Sequence, residues 1–190
     1  MWLPSVIDRE GKNKIVCDLP SKILEDRIIY LGDEINEFTS NAVIMQLLWL
    51  ASDNPDEDIN LYIKSPGGSV YAGLAIKDVI DTLPCKVNTV AIGLVASMGT
   101  YLLACGTGTR KAMKNSRIMI HSVSSGTHGT VHDQRIDFKE TEYLQNKIMV
   151  DIANYSKGRM TVEEVEKYCE RDFYMDADTA IKLGIVDSKI

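Results

Sequence analysis

The chain has 190 residues, 45% of them hydrophobic, with 21 Lys and Arg against 27 Asp and Glu for a formal charge of −6. Such a length suits a single domain that buries about 70% of the surface its unfolded chain exposes. The apolar fraction excludes a disordered chain, the missing repeats exclude collagen and coiled coil, and the acidic balance argues against a nucleic-acid footprint built on positive charge.

Residues 1–25 mix charge, Gly, Pro and short apolar pieces without clear periodicity, and read as an arm or a segment ordered by a partner. Met1-Trp2-Leu3-Pro4-Ser5 has no basic segment leading into a long apolar one, and no window reaches the roughly 18 apolar residues of a membrane span. From residue 26 onward the pattern is that of one domain. Ile28-Ile29-Tyr30-Leu31 before Gly32 predicts a short buried strand, and Thr39–Ala51 a helix capped by Ser40 or Asn41 and stopped at Pro55. Ile59-Asn60-Leu61-Tyr62-Ile63 alternates as a strand. The loop Lys64-Ser65-Pro66-Gly67-Gly68-Ser69 leads into a helix over Val70–Leu83, with Leu74, Ile76, Val79, Ile80 and Leu83 near one stripe.

A strand over Val87–Ile92, a helix over Ser97–Cys105 and a strand over Arg117–Ile120 continue the alternation, which predicts an α/β layered fold with largely parallel strands. After a Ser/Gly/His loop, a helix of about 25 residues is expected from Asp133 to Lys157. Thr161-Val162-Glu163-Glu164 opens a short helix as a capping box, Asp176 caps the last, and a terminal strand is expected around Ile185-Val186.

The candidate chemistry is sparse. Cys17, Cys85, Cys105 and Cys169 are scattered without a CxxC pair, which supports neither a metal nor a thioredoxin-type site and fits free thiols in a reducing, cytoplasmic setting. His121, His128 and His132 are the only histidines. His121 ends an apolar strand where it meets a polar loop, so it is either a neutral-pH base at a sheet end or a side chain bonded to its own loop. His128 and His132 stand at i and i+4, but Gly129 between them speaks against a shared helix face and no third ligand completes a metal site. Ser97, at a strand-to-helix junction, is by itself first an N-cap; as a nucleophile it would gain free backbone N–H groups and the positive end of a helix dipole. Gly93-x-x-x-Ser97-x-Gly99 fails the Gly-x-Ser-x-Gly elbow, so any triad belongs to another scaffold. Pro66-Gly67-Gly68-Ser69 lacks the ending of a Walker loop and leaves a phosphate cradle and close approach to a bound peptide both open.

Taken together, Tyr62-Ile63-Lys64-Ser65-Pro66-Gly67-Gly68-Ser69-Val70, Gly93-Leu94-Val95-Ala96-Ser97-Met98-Gly99 and Asn115-Ser116-Arg117-Ile118-Met119-Ile120-His121 resemble the ClpP family, the proteolytic subunits of the Clp protease. The likeness runs from about Arg27 to the C-terminus. It implies a crotonase-like ββα superhelix with the long helix from Asp133 as a protruding handle between rings. It implies a serine endopeptidase in which Ser97 is the nucleophile, His121 the general base and Asp172 the orienting acid, with the N–H groups of Gly68 and Met98 as the oxyanion hole. Arg171 matches a position that makes contacts between rings. The implied assembly is two stacked heptameric rings that take unfolded polypeptide from a hexameric Clp ATPase such as ClpX or ClpC; the ATPase uses the ATP, and no cofactor or metal belongs to this chain.

The chain departs from the family's pattern at several positions. Ser122-Val123 follow His121 where Gln-Pro is usual, Ser125-Gly126 replace Gly-Gly, and Lys111 and Lys114 stand in place of an aromatic residue and a proline. The turn Lys157–Thr161 is about two residues longer than usual. The changes bear on peptide preference, ring pairing and ATPase docking, and point to a specialised paralogue that works with a second ClpP-type subunit. The competing expectations are an active peptidase subunit, a weakly active or regulatory ring subunit that needs its partner, and a crotonase-type acyl-CoA enzyme, which would share the oxyanion hole but has no need of Ser–His–Asp.

Overall fold

In the computed structural model, which describes residues 5–10 and 13–190, β1 (Ser5–Glu10) and β2 (Asn13–Asp18) pair antiparallel. Asp18 caps α1 (Leu19–Glu25) by accepting the Ser21 N–H. The segment expected to be an aperiodic arm is therefore a hairpin and a helix; residues 1–4 and 11–12 of it lie outside the described residues. Ile7 and Val16 on its two strands stay 58% and 67% exposed, so its apolar residues do not mark a buried face.

β3 (Ile28–Leu31) leads to α2 (Glu37–Asp53), which begins two residues before the expected start. Asn36 is the cap, not Ser40 or Asn41: its side chain accepts the Phe38 and Thr39 N–H groups while the Thr39 hydroxyl accepts the Asn36 N–H. β4 (Ile59–Ser65), α3 (Val70–Thr82) and β5 (Val87–Ala96) follow, with α3 burying Ala72, Gly73, Ile76 and Ile80 against the core. The chain continues through α4 (Met98–Ala104), β6 (Arg110–Ala112), β7 (Arg117–Ile120), α5 (Val131–Tyr155), α6 (Val162–Cys169), β8 (Phe173–Met175), α7 (Ala177–Lys182) and β9 (Ser188–Lys189). β6 and β8 escape sequence reading because three residues show no periodicity. The last strand is Ser188–Lys189, not Ile185-Val186; those two are fully buried in the turn before it, which explains why they look like a strand.

The sheet runs β3-β4-β5-β6-β9, with β7 on β5 and β8 on β7, and every pairing in it is parallel except β7–β8. β5 serves two neighbours: Thr89–Ala91 pair with β6, and Leu94–Ala96 with β7. Val87, Thr89–Ala91 and Val95–Ala96 are buried, as a parallel strand covered on both faces requires, while Gly93 and Leu94 between them are exposed.

α5 starts at Val131, behind a Thr130–Asp133 capping box, and ends two residues before the expected Lys157. Leu144, Ile148, Met149, Ile152 and Ala153 bury its second half, while Val131, Ile136 and Phe138 in the first stay exposed. At its C-terminal end a buried guanidinium closes the fold. Arg110, 2% exposed, forks onto Asp187 through Nε and Nη2 at 3.1 and 2.6 Å and donates from Nη1 to the Ala104 and Tyr155 carbonyls. The guanidinium, with Lys157 at 2.8 Å, holds the Asp187 carboxyl well below the usual range. Among the described residues no helix is long and apolar enough to cross a membrane.

Candidate active site

Strand register brings Ser97 to its partner. β5 and β7 run parallel with Ala96 beside Met119, and the Ser97 N–H donates to the Met119 carbonyl at 2.9 Å. Behind it, all of α4 from Met98 to Ala104 is buried. Thr100 fastens that helix to both strands: its hydroxyl lies 2.8 Å from the Met119 carbonyl and 3.0 Å from that of Val95. Ser97 takes φ 55° and ψ −125°, a conformation sparsely used by residues other than glycine. Its side chain makes no capping bond to α4; Oγ lies 2.9 Å from Nε2 of His121. The N-cap reading therefore gives way, and His121 is bonded to Ser97 and not to its own loop.

A second register brings up the carboxylate. In the antiparallel β7–β8 ladder Ile118 faces Met175 and Ile120 faces Phe173, so one step further sets His121 opposite Asp172. Nδ1 of His121 and Oδ1 of Asp172 are 3.6 Å apart, an ion-pair separation rather than a hydrogen bond, and the Asp172 side chain is 60% exposed. With the proton on Nδ1, Nε2 is free to accept from the Ser97 hydroxyl.

The Gly67-Gly68 loop stands against the same junction. The Ile35 N–H donates to Gly67 O and the Ser69 N–H to Ile35 O, both at 2.8 Å, so the loop is sewn to the segment before α2. Both glycines have positive φ, 96° and 145°. A Cβ on Gly68 would meet the Ile35 carbonyl oxygen at 2.1 Å, and one on Gly67 would meet Ser97 Cβ at 2.6 Å. Close backbone approach is thus what this loop needs its glycines for. The Met98 N–H, at the first turn of α4, and the Gly68 N–H have no acceptor among the described residues. Gly68, Ser97, Met98 and His121 share one cleft, walled on its apolar side by Val70, Ile120, Ile148 and Ile152.

Other candidates stay apart. His128 lies in the loop before α5 and His132 in its first turn, both exposed, with Gly129 at φ 98° separating them, so they share no helix face. Arg171 is exposed beside Asp172 and has no ion-pair partner among the described residues. Cys169 lies near His121, but burial pushes its thiol up to about 11 and that of Cys105 up to about 12, leaving neither as a thiolate at neutral pH. Serine is the nucleophile type this cleft offers. The Gly67-Gly68 pair is legible in the sequence as a loop open to close backbone approach, but Thr100 and the loop contacts of Gln145 are not, since their roles arise from elements that meet only in the fold.

The chain matches the model of the family described as Clp protease over residues 11–190. It is 39% identical over 186 residues to the ATP-dependent Clp protease proteolytic subunit 1 of Prochlorococcus marinus strain MIT 9312, an alignment covering 97% of this chain and 94% of the relative. The protein of the same name from Prochlorococcus marinus subsp. pastoris, strain CCMP1986, is similar to the same extent: 39% over 186 residues, 97% and 94% covered. With nearly its whole length matched, and with a mixed α/β fold of mostly parallel strands, the chain belongs to the Clp protease family and is a serine peptidase of the ClpP type.

Proposed function

We propose that this chain is a serine endopeptidase subunit that cuts unfolded polypeptide, with Ser97 as nucleophile. The observation that carries the reading is the 2.9 Å contact from Ser97 Oγ to His121 Nε2, made by a serine that caps nothing. His121 takes the Ser97 proton as Oγ attacks the scissile carbonyl. The developing oxyanion is met by the N–H groups of Gly68 and Met98. His121 then returns the proton to the leaving amine, and Asp172 stabilises the imidazolium in between. Water, activated by the same imidazole, hydrolyses the acyl-serine. The apolar wall of Val70, Ile148 and Ile152 suits an apolar side chain next to the cut bond.

The reading extends to an assembly of two stacked heptameric rings fed by a hexameric Clp ATPase, with Arg171 at a contact between rings. Large apolar side chains left in water support association: Phe38 is 83%, Met45 65% and Trp49 52% exposed on α2. A fluorophosphonate probe is expected to label Ser97, and Ser97→Ala to abolish the labelling. A protein with the mass of a double ring that takes no label refutes the reading.

A second reading is favoured by one distance. Asp172 stands 3.6 Å from the imidazole and is mostly solvated, so the chain alone orients His121 loosely. On this reading the subunit cleaves peptides weakly until a second ClpP-type subunit joins it. Mixing the two is expected to raise peptide hydrolysis at Ser97; no gain over the sum of the separate rates refutes it.

A further inference from the structure

The loop that follows His121 is latched to α5 by side chains. The Val123 N–H donates to Gln145 Oε1 at 2.6 Å, and Gln145 Nε2 donates to the Ser122 hydroxyl at 3.3 Å. Ser122 passes the connection on: its N–H and its hydroxyl both donate to the Cys169 carbonyl, at 2.9 and 2.8 Å. Cys169 ends α6, three residues before Asp172. One glutamine thus links α5, the residue after His121 and the turn that carries Asp172. A second latch lies one helical turn earlier, where the Ser125 and Thr141 hydroxyls are 2.9 Å apart. Thr141 spends its own proton on the Asp137 carbonyl, so Ser125 is the donor between them.

We infer that Gln145 is a positioning residue for the hydrolytic reaction, clamping Ser122-Val123 so that the His121 imidazole stays between Ser97 and Asp172. The inference rests on the peptidase reading of Ser97 and adds to it a residue that touches no substrate. Asp172 makes no hydrogen bond of its own among the described residues and approaches the imidazole only to 3.6 Å. Its place therefore depends on backbone: the β7–β8 ladder on one side and the Ser122–Cys169 bonds on the other. Val123 and Ser124 also line the cleft, so the clamped segment is a substrate wall as well. Without Gln145 the Val123 N–H loses its acceptor in a half-buried position, and the segment is free to shift toward water. A displacement near 1 Å at a general base costs about 10²-fold in rate.

Two variants separate positioning from simple support. Gln145→Leu removes these two bonds, and a third from Nε2 to Met149 Sδ at 3.4 Å, at similar volume; Gln145→Glu keeps the acceptor for Val123. Peptide hydrolysis by the assembled protein is measured as kcat and KM, with Ser97 sites counted by fluorophosphonate titration. Gln145→Leu is expected to lower kcat per titrated site about 10- to 100-fold while KM moves less than about threefold, with Gln145→Glu within about threefold of wild type. Ordinary kcat per site with fewer titratable sites means a merely structural role and overturns the inference; so does a rise in KM alone, which makes Gln145 only a support for the groove wall. A wild type that takes no label refutes the peptidase reading and this inference with it. A labelled wild type beside an equally active Gln145→Leu refutes the inference alone.

Discussion

Gly67→Ala drives a single added methyl group directly against Ser97. The added Cβ would sit 2.6 Å from Ser97 Cβ, 2.8 Å from the Ala96 carbonyl oxygen and 3.1 Å from the Met98 nitrogen. Ordinary contacts begin at 3.4 Å, so loop and junction must part by about 0.8 Å. The junction is the stiffer side, since Ser97 is bonded to Met119 and α4 is buried throughout. The loop moves instead, and Gly68 with its N–H moves with it. Displacing one oxyanion donor by that much is expected to lower kcat/KM about 10²–10³-fold. The φ of 96° adds backbone strain of about 1–3 kcal/mol, seen as a lower unfolding midpoint. Gly126→Ala is the control, for its Cβ would meet nothing within 4 Å and the φ is ordinary. Peptide hydrolysis of both variants at saturating and limiting substrate is the assay. Should Gly67→Ala keep kcat/KM within about threefold of the control, the close packing of this loop on Ser97 has no catalytic meaning.

Asp187 gives a pH test. Its carboxyl is held below the usual range in the folded chain, so the stability it contributes is full above the unfolded value of about 4 and is lost as pH falls below it. Asp187→Asn, which leaves the Arg110 guanidinium buried and uncompensated, is expected to cost about 3–5 kcal/mol at pH 7 and to lose less on going to pH 3 than wild type does. Urea unfolding at both pH values checks this, and parallel losses in the two proteins contradict it. Thr100→Val keeps the shape of a fully buried side chain but removes the donor shared by Val95 and Met119. It is expected to lower stability by about 1–2 kcal/mol and to slow Ser97 labelling; unchanged values on both counts would show that α4 is held by burial alone.

How far the sequence speaks depends on how local each signal is. The parallel α/β pattern, the capping box at Thr161 and the cap at Asp176 are written in neighbouring residues, and the structure has them there. The cap at Asn36 is harder to read, because Thr39, its partner at the third helical position, itself resembles a helix start. β6 and β8 carry too few residues for a period. The site divides the same way. Ser97 and His121 are visible as a serine before an apolar helix and a histidine after an apolar strand, but neither position excludes a bland role. What speaks for the proposed roles is a contact 24 residues long in sequence, set by the β5–β7 register. Asp172 was available only through the resemblance, since its place opposite His121 follows from a three-residue strand that no pattern reveals.

The backbone at Ser97 supplies a physical argument for the proposed nucleophile over a cap. Where a side chain caps a helix in this chain, at Asp18, Asn36, Ser69, Thr130, Thr161 and Asp176, φ lies between −59° and −139°, and the side-chain oxygen turns back to a helix N–H. That is the inexpensive way to start a helix, and the chain uses it repeatedly. Ser97 starts α4 at φ 55° and turns its hydroxyl away from the helix. Such a conformation costs about 1–3 kcal/mol and forgoes a cap worth about 1 kcal/mol more. It persists because the Met119 bond, the Thr100 bonds and a wholly buried helix over-determine it. A serine needed only for folding would relax to the extended form and cap α4. One held at φ 55° exposes Oγ to His121 and leaves the Met98 N–H unclaimed, the two conditions an attacking hydroxyl and its oxyanion require.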